Sequence, residues 1–347
     1  MSRRRIRRKP RPRFTVRHAS DLLAVIPYLV GFHPTESIVA VLMRSDQIAL
    51  TMRVDLPTTP SVAEAGAAIA RQLTAVAQAN RLSRIVLVGY SADPLQANRM
   101  LRATMDELPR TKGPGPELGD VYYVDGERWW SLTCNGPCCP LEGTAYDLGS
   151  HPYAAEAVYA GINVEPSRAA LREGLLGPDP AEVEVLEETL ATVLDSLVEL
   201  DDPGWANAAI QQTVRDALDE TEVSDEVCAR LALLALNKAV RDHAWAMITH
   251  DDADLHAELW RRVVARVPPV VSAAPLGLLG MAAWIGGHGA LQNLCGERLA
   301  EIHPGYTLGE ILLDLSDRAV PPSSWDAWAA EMRQLLGPAT RSDALAG

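Results

Sequence analysis

The strand-forming patterns of this chain stop near Gly143, and the sequence after that point is helical in pattern. Apolar runs and alternating residues predict strands at 37–43, 47–56, 85–90, 121–124 and 128–132. Beyond Pro152, the spacing predicts helices at about 152–160, 167–176, 180–200, 204–220, 224–248, 252–266, 274–286, 289–302, 306–318 and 324–336. We therefore expect an α/β N-terminal domain over residues 18–150, followed by an all-α C-terminal domain over 151–337.

Capped helices separate the predicted strands of the N-terminal half. Ser61 precedes an Ala-rich helical pattern that runs to about Asn80, and Asp93-Pro94 begins another helix. The run at 85–90 is apolar throughout, as in a strand inside a parallel sheet, whereas 47–56 alternates like a half-exposed hairpin strand. These two kinds of strand together predict a mixed sheet.

Charge is distributed unevenly along the chain. Residues 1–17 carry nine basic side chains and no acidic one, so the net charge of −13 becomes −22 without them. A body that acidic repels a phosphate backbone, so nucleic acid is expected as a partner only through residues 1–17. We predict a disordered basic tail over 1–17 and a flexible C-terminal tail over 338–347. Residues 178–230 hold fifteen acids and two basic residues, and would attract that tail or a basic partner.

An export signal is not expected. Ser2-Arg3-Arg4-Arg5 resembles a twin-arginine start, but the next apolar run, Leu22 to Phe32, contains Pro27 and lacks a small-residue cleavage site. No run reaches the ~18 apolar residues that a membrane span requires. We therefore predict a cytoplasmic protein without a membrane partner. Its five cysteines are then free thiols, metal ligands or redox groups rather than a disulfide framework.

Three of the five cysteines lie close together in residues 129–143, here named the cysteine loop. They are Cys134, Cys138 and Cys139, and they follow the pair Trp129-Trp130. Small buried thiols that fix the loop beneath the tryptophans are one interpretation. A redox or disulfide pair of Cys134 with Cys138 or Cys139 is another. Because neighbouring side chains point apart on an extended chain, at most one of Cys138 and Cys139 should pair easily with Cys134.

A metal site is the third interpretation of the cysteine loop. Two or three thiolates on one tight loop can face a single ion, and a fourth ligand would be His151 or His33. No second C-x-x-C or H-x-x-x-H knuckle accompanies them. The sequence therefore does not require a metal, and we expect no cofactor.

A histidine, an acid and a serine meet on a predicted turn at His33, Glu36 and Ser37. With Trp129 and Trp130 they are candidate ligand-binding residues, in a pocket between residues 31–37 and the cysteine loop. A catalytic serine would need contact with the histidine and an orienting acid, and no G-x-S-x-G elbow occurs. Ser37 is expected to bond its local backbone instead. No glycine-rich nucleotide motif is present either.

Two weaker patterns fall in the helical half. His250, Asp251, Asp252 and His256 could together hold a divalent ion. The simpler interpretation is a helix break at His250, an aspartate capping the next helix, and His256 on the surface of that helix.

One helix pair has a tetratricopeptide-like pattern of small and large residues. The matching positions are Trp284, Gly287, Ala290, Leu294, Arg298, Leu299, Ile302, Pro304 and Tyr306. Only one such repeat is visible, so an ordinary helical hairpin remains the alternative to a solenoid.

Three stretches together resemble an actinobacterial family known as domain of unknown function 4192. They are residues 20–37 (SDLLAVIPYLVGFHPTES), Trp129-Trp130-Ser131 with the three loop cysteines and Pro140, and Gly286–Ala290 with Pro304-Gly305-Tyr306. The resemblance covers most of residues 18–325. It implies an actinobacterial, cytoplasmic protein and carries over no functional residue.

The leading functional hypothesis is a non-enzymatic interaction or regulatory protein whose helical domain binds a protein partner. The alternative is an enzyme or small-ligand sensor with the pocket described above. Nucleic-acid association through residues 1–17 is a third hypothesis.

Overall fold

The computed structural model describes residues 14–57, 61–108, 115–134, 136–160, 162–198, 205–220 and 222–337. The chain divides into two compact units, the first ending at Arg168 and the second beginning at Ala169. The predicted C-terminal tail and residues 1–13 of the predicted basic tail lie outside the described residues.

A mixed six-stranded sheet forms the centre of the first unit. Its strands are β1 (Ser37–Arg44), β2 (Gln47–Asp55), β3 (Arg84–Tyr90), β4 (Glu117–Val124), β5 (Arg128–Ser131) and β6 (Thr144–Ala145). The order across the sheet is β2-β1-β3-β4-β5-β6. Only the β3–β4 pair is parallel among these strands. The predicted mixed sheet is therefore confirmed, because the crossover through a helix makes β3 and β4 parallel while short turns make the hairpins antiparallel.

Helices cover both faces of the sheet. They are α1 (Ala19–Val30), α2 (Val62–Ala79), α3 (Pro94–Glu107) and α4 (Pro152–Ala160). The buried side of α1 packs with Val39 and Val41 of β1 on one face. Leu101 of α3 lies directly over Gly89 of β3, where a Cβ would be 2.8 Å from Leu101 Cδ1. Neighbouring residues of a strand point to opposite faces of the sheet. Val88 belongs to the face that α1 covers, so Gly89 lies on the other face, and α3 covers that face.

The division between the units lies later than the boundary predicted after residue 150. Helix α4 packs against α1. Glu165 extends this attachment, because its backbone accepts from the N–H of His33 at 3.1 Å and donates to the oxygen of Gly31 at 3.0 Å. Phe14, placed in the basic tail by its sequence position, stacks on Tyr28 with ring centroids 5.7 Å apart. Backbone pairing and aromatic packing thus tie both segments to the sheet unit.

The regular elements described in the second unit are all helical. They are α5 (Arg168–Glu173), α6 (Val183–Val198), α7 (Trp205–Leu218), α8 (Asp225–Ala235), α9 (Lys238–Trp245), α10 (Ala253–Ala265), α11 (Ala273–Ile285), α12 (Gly289–Ile302), α13 (Thr307–Asp317) and α14 (Trp325–Leu336). The single helix predicted at 224–248 is two helices. Asn237 breaks it, because its side chain accepts from the Ala239 N–H at 3.0 Å and caps α9. None of the described helices combines the length and apolarity needed to cross a membrane.

His256 lies inside the helical unit, with 1% of its side chain exposed, so its predicted surface position is wrong. The α10 face that carries it packs within the helical core, beside residues such as Trp260. Asp252 occupies the predicted capping position of α10, but its carboxylate accepts from the Thr249 N–H at 2.7 Å. Burial lowers the pKa of His256 to about 4, although the charge of Asp252 acts in the opposite direction.

The lowered pKa of His256 predicts that the protein loses stability in mild acid. The unfolded chain protonates His256 at its ordinary pKa of about 6.5, whereas the folded chain resists protonation down to about 4. The stabilising contribution is therefore complete above that ordinary pKa and is lost as the pH falls towards 4. Between pH 7 and pH 5 we expect a loss of about 2 kcal/mol in the free energy of unfolding.

Denaturant unfolding at both pH values measures this loss, with His256→Leu as the control. The variant should lose about 2 kcal/mol less than the parent over the same interval, because it retains the other titrating groups. Equal losses in the two proteins would show that His256 is not the responsible group.

Candidate functional site

Strand β5 anchors the cysteine loop through its two tryptophans, whose side chains point to opposite faces of the sheet. Trp129 is buried and meets Tyr122 edge-on, with ring centroids 5.5 Å apart. Trp130 stacks on Tyr123, with ring centroids 5.3 Å apart and an interplanar angle of 23°. The strand that leads into the loop is thus fixed on both faces by aromatic contacts.

The far end of the loop is held against the same strand. Trp130 donates from Nε1 to the oxygen of Leu141 at 3.1 Å, and Arg128 donates to the oxygen of Gly143 at 2.9 Å. Gly143 has φ +78°, and a Cβ there would lie 2.4 Å from Cε2 of Trp130. Only glycine accommodates both this backbone conformation and the close approach of the indole ring.

The loop brings the three thiols together, as the metal and redox interpretations require. The sulfurs of Cys134 and Cys138 are 3.6 Å apart, and those of Cys138 and Cys139 are 4.0 Å apart. All three sulfurs lie within 4.8 Å of one another. All three cysteines are free thiols.

Both Cys138 and Cys139 approach Cys134, although an extended chain would let at most one of them pair easily with it. The chain is not extended here, because Cys139 donates its N–H to the oxygen of Gly136 at 3.0 Å and closes a turn. This turn lets Cys138 and Cys139 face the same point. Pro137 was the available signal, since proline is favoured at the second position of such a four-residue turn.

Backbone contacts adjust the acidity of the thiols. The Gly136 N–H donates to the sulfur of Cys134 at 3.4 Å. This hydrogen bond, followed by those from the neighbouring thiols, lowers the pKa of Cys134. Hydrogen bonding to Cys134, together with partial burial, raises the pKa of Cys139 to about 12. As the pH rises, Cys134 therefore ionises before Cys139.

A cavity of about 430 Å³ lies inside the curve of the loop. Its lining residues are Trp129, Trp130, Ser131, Cys134, Gly136, Pro137, Cys139, Pro140, Leu141 and Thr144. Both predicted tryptophans and two of the cysteines therefore share one cavity. His33, Glu36 and Ser37 do not line it.

In the 31–37 turn, Glu36 forms side-chain hydrogen bonds whereas Ser37 forms none with a described residue. Glu36 adopts φ +42°, and its carboxylate accepts from Ser91 Oγ at 2.8 Å and from the Ala92 N–H at 2.9 Å. His33 is exposed. Ser37 is fully buried, and its hydroxyl finds no hydrogen-bond partner in the described part of the chain, so neither the expected backbone bond nor a bond to His33 forms. Together these contacts give no nucleophile–base pair.

His151, one predicted fourth metal ligand, is engaged elsewhere in the same unit. Its Nε2 lies 3.2 Å from the Asp21 carboxylate at the start of α1, and its ring meets Tyr153 edge-on. Neither His151 nor His33 joins the group of potential metal ligands formed by the three cysteines. His151 is close to the cysteines in sequence but faces the start of α1 instead, from its position immediately before α4.

Comparison with known proteins identifies the family. No curated protein matches the chain, and no solved structure matches it. A family model described as a domain of unknown function, DUF4192, matches residues 20–323. That span includes the whole sheet, the cysteine loop and most of the helical unit. The chain therefore belongs to the DUF4192 family.

Proposed function

We propose that this protein is a non-enzymatic interaction or regulatory protein whose helical unit binds a protein partner. On the resemblance, we infer that it works in the cytoplasm of an actinobacterium. In this proposal the cysteine loop supports the sheet unit, and the basic segment 1–17 is a docking element.

The predicted tetratricopeptide-like positions lie at the end of α11, along α12 and just before α13, and the packing of α12 against α13 supports close helix pairing in this region. A Cβ at Gly309 would lie 2.9 Å from Cβ of Leu299, and a Cβ at Gly296 would lie 3.0 Å from Leu313. A glycine facing a leucine at each of these two contacts lets the helix axes approach closely. Repeats of this kind use such helix pairs to present surfaces for binding partners.

The outer face of α6 is the observation that carries the proposal. Glu184, Glu187, Glu188 and Asp195 are all exposed, and none of them forms an ion pair with a described residue. The helix contains no basic residue. Like charges three and four residues apart repel, so this face is destabilising in isolation and would be neutralised by a basic partner. Val185, 62% exposed among these acids, adds an apolar contact.

Capture from the native cytoplasm tests the proposal when charge variants are compared. The triple variant Glu184→Gln, Glu187→Gln, Glu188→Gln removes three charges from α6 and keeps side-chain size. Three exposed charges at about 0.5 kcal/mol each predict roughly tenfold weaker recovery of the partner. Recovery by the parent should also fall as salt is raised.

The matched control is Glu64→Gln, Glu127→Gln, Glu142→Gln, which removes three exposed charges from the sheet unit. It should recover the partner as well as the parent does. Equal recovery by the α6 variant and the parent would contradict the proposal.

A further inference from the structure

We propose that Cys134, Cys138 and Cys139 form a binding site for a thiophilic divalent cation, with Zn²⁺ as its ligand. The site is independent of the partner surface on α6. It would hold the ion through three thiolates and leave a fourth coordination position facing the cavity.

The sulfur positions fit a single tetrahedral ion. With Zn–S bonds of about 2.3 Å, tetrahedral geometry places two sulfurs about 3.8 Å apart. The sulfur of Cys138 lies 3.6 Å from that of Cys134 and 4.0 Å from that of Cys139, so the two distances lie on either side of this value. The largest separation is at most 4.8 Å. Closing the site around an ion therefore requires a sulfur to move by about 1 Å or less.

The backbone holds these sulfurs in place before any ion binds. The Cys134 N–H donates to Ser131 Oγ at 3.0 Å, which fixes the first cysteine to the end of β5. The Gly136 N–H donates to the sulfur of Cys134. A Cβ at Gly136 would lie 3.5 Å from the sulfur of Cys138, so the backbone here passes directly beside the thiols. Such donors around a ligating atom orient it and tune the metal.

Three convergent thiols suit a cation better than a disulfide. A bond between Cys134 and Cys138 would use two sulfurs and leave Cys139 without a role at the same point. A cation uses all three. Its binding replaces up to three thiol protons, which pass to the solvent, and no oxidant is required.

The fourth position is open to the cavity. Cys134 and Cys139 both line the cavity of about 430 Å³. No fourth cysteine, histidine or carboxylate joins the group among the described residues. A three-ligand site with an open position differs from a closed structural site with four protein ligands. Water or a small donor molecule would complete the coordination.

Metal analysis of the full-length, reduced protein tests this assignment. After chelation and reloading with Zn²⁺, the parent should bind one ion per chain. Cys134→Ser, Cys138→Ser and Cys139→Ser should each weaken Zn²⁺ affinity by at least ~100-fold, because each removes a direct ligand. Cys228→Ser and Cys295→Ser are matched controls from the buried helical core and should retain one ion per chain.

A second measurement uses the parent alone and does not depend on the folding of any variant. Bound Zn²⁺ should protect all three loop cysteines from alkylation, as located by mass spectrometry. The proposal is overturned if the parent binds no stoichiometric Zn²⁺, if the loop variants bind it as tightly as the parent, or if Zn²⁺ leaves the three cysteines equally reactive.

Discussion

Replacing Trp325 with alanine should lower the free energy of unfolding of the helical unit by about 3–5 kcal/mol. The side chain is 1% exposed. It stacks on Trp245 with ring centroids 5.4 Å apart, meets Trp284 edge-on, and donates from Nε1 to the oxygen of Ile248 at 2.8 Å. Truncation would leave a large cavity between the rings and an unpaired carbonyl. Denaturant unfolding followed by circular dichroism measures the change.

Trp328→Ala is the control for this experiment. Trp328 lies one helical turn away and stacks on Trp284 with ring centroids 5.6 Å apart, but its side chain is 42% exposed. Its loss should cost clearly less than the loss of Trp325, because 42% of the Trp328 surface already lies in water and contributes no burial. Similar losses for the two variants would mean that Trp325 does not organise the core around α9, α11 and α14.

Replacing Gly143 with alanine should destabilise the sheet unit by about 2–4 kcal/mol, from left-handed strain and overpacking together. The new Cβ would enter the space of the Trp130 ring. That ring cannot move freely, because it is stacked on Tyr123 and bonded to the oxygen of Leu141. Thermal and denaturant unfolding of the sheet unit measure the effect.

Gly126→Ala separates the backbone strain of a positive φ from the overpacking against the Trp130 ring. Gly126 also has positive φ, +105°, but a Cβ there would meet nothing within 4 Å. Its substitution should therefore cost only about 1–2 kcal/mol, the contribution of backbone strain. We also expect Gly143→Ala, and not Gly126→Ala, to weaken Zn²⁺ binding. Equal costs at the two positions would show that the indole contact does not constrain the loop.

Most of the sheet could be predicted because its strands carry clear patterns. The continuous apolar run of β3 reflects burial on both faces, whereas β2, at the edge of the sheet, is only partly buried along its length. Strand β6 could not be predicted, since its two residues are too few to show any period. The break at Asn237 was missed because neither glycine nor proline marks it.

For the cysteine loop, the sequence indicates which residues are present but not how they are arranged. The three cysteines and both tryptophans could be identified from composition and spacing alone. Their convergence could not, because it depends on a turn that an extended-chain argument does not anticipate. The pairing of His151 with Asp21 joins residues 130 positions apart, and no local pattern encodes such a contact.

The most direct test of the account is X-ray absorption at the zinc edge of the reduced, Zn²⁺-loaded protein. We predict a shell of three sulfurs at about 2.3 Å and one nitrogen or oxygen at about 2.0–2.2 Å. A shell composed of nitrogen and oxygen alone, or one containing fewer than three sulfurs, would contradict the assignment of a single three-thiolate site to the cysteine loop.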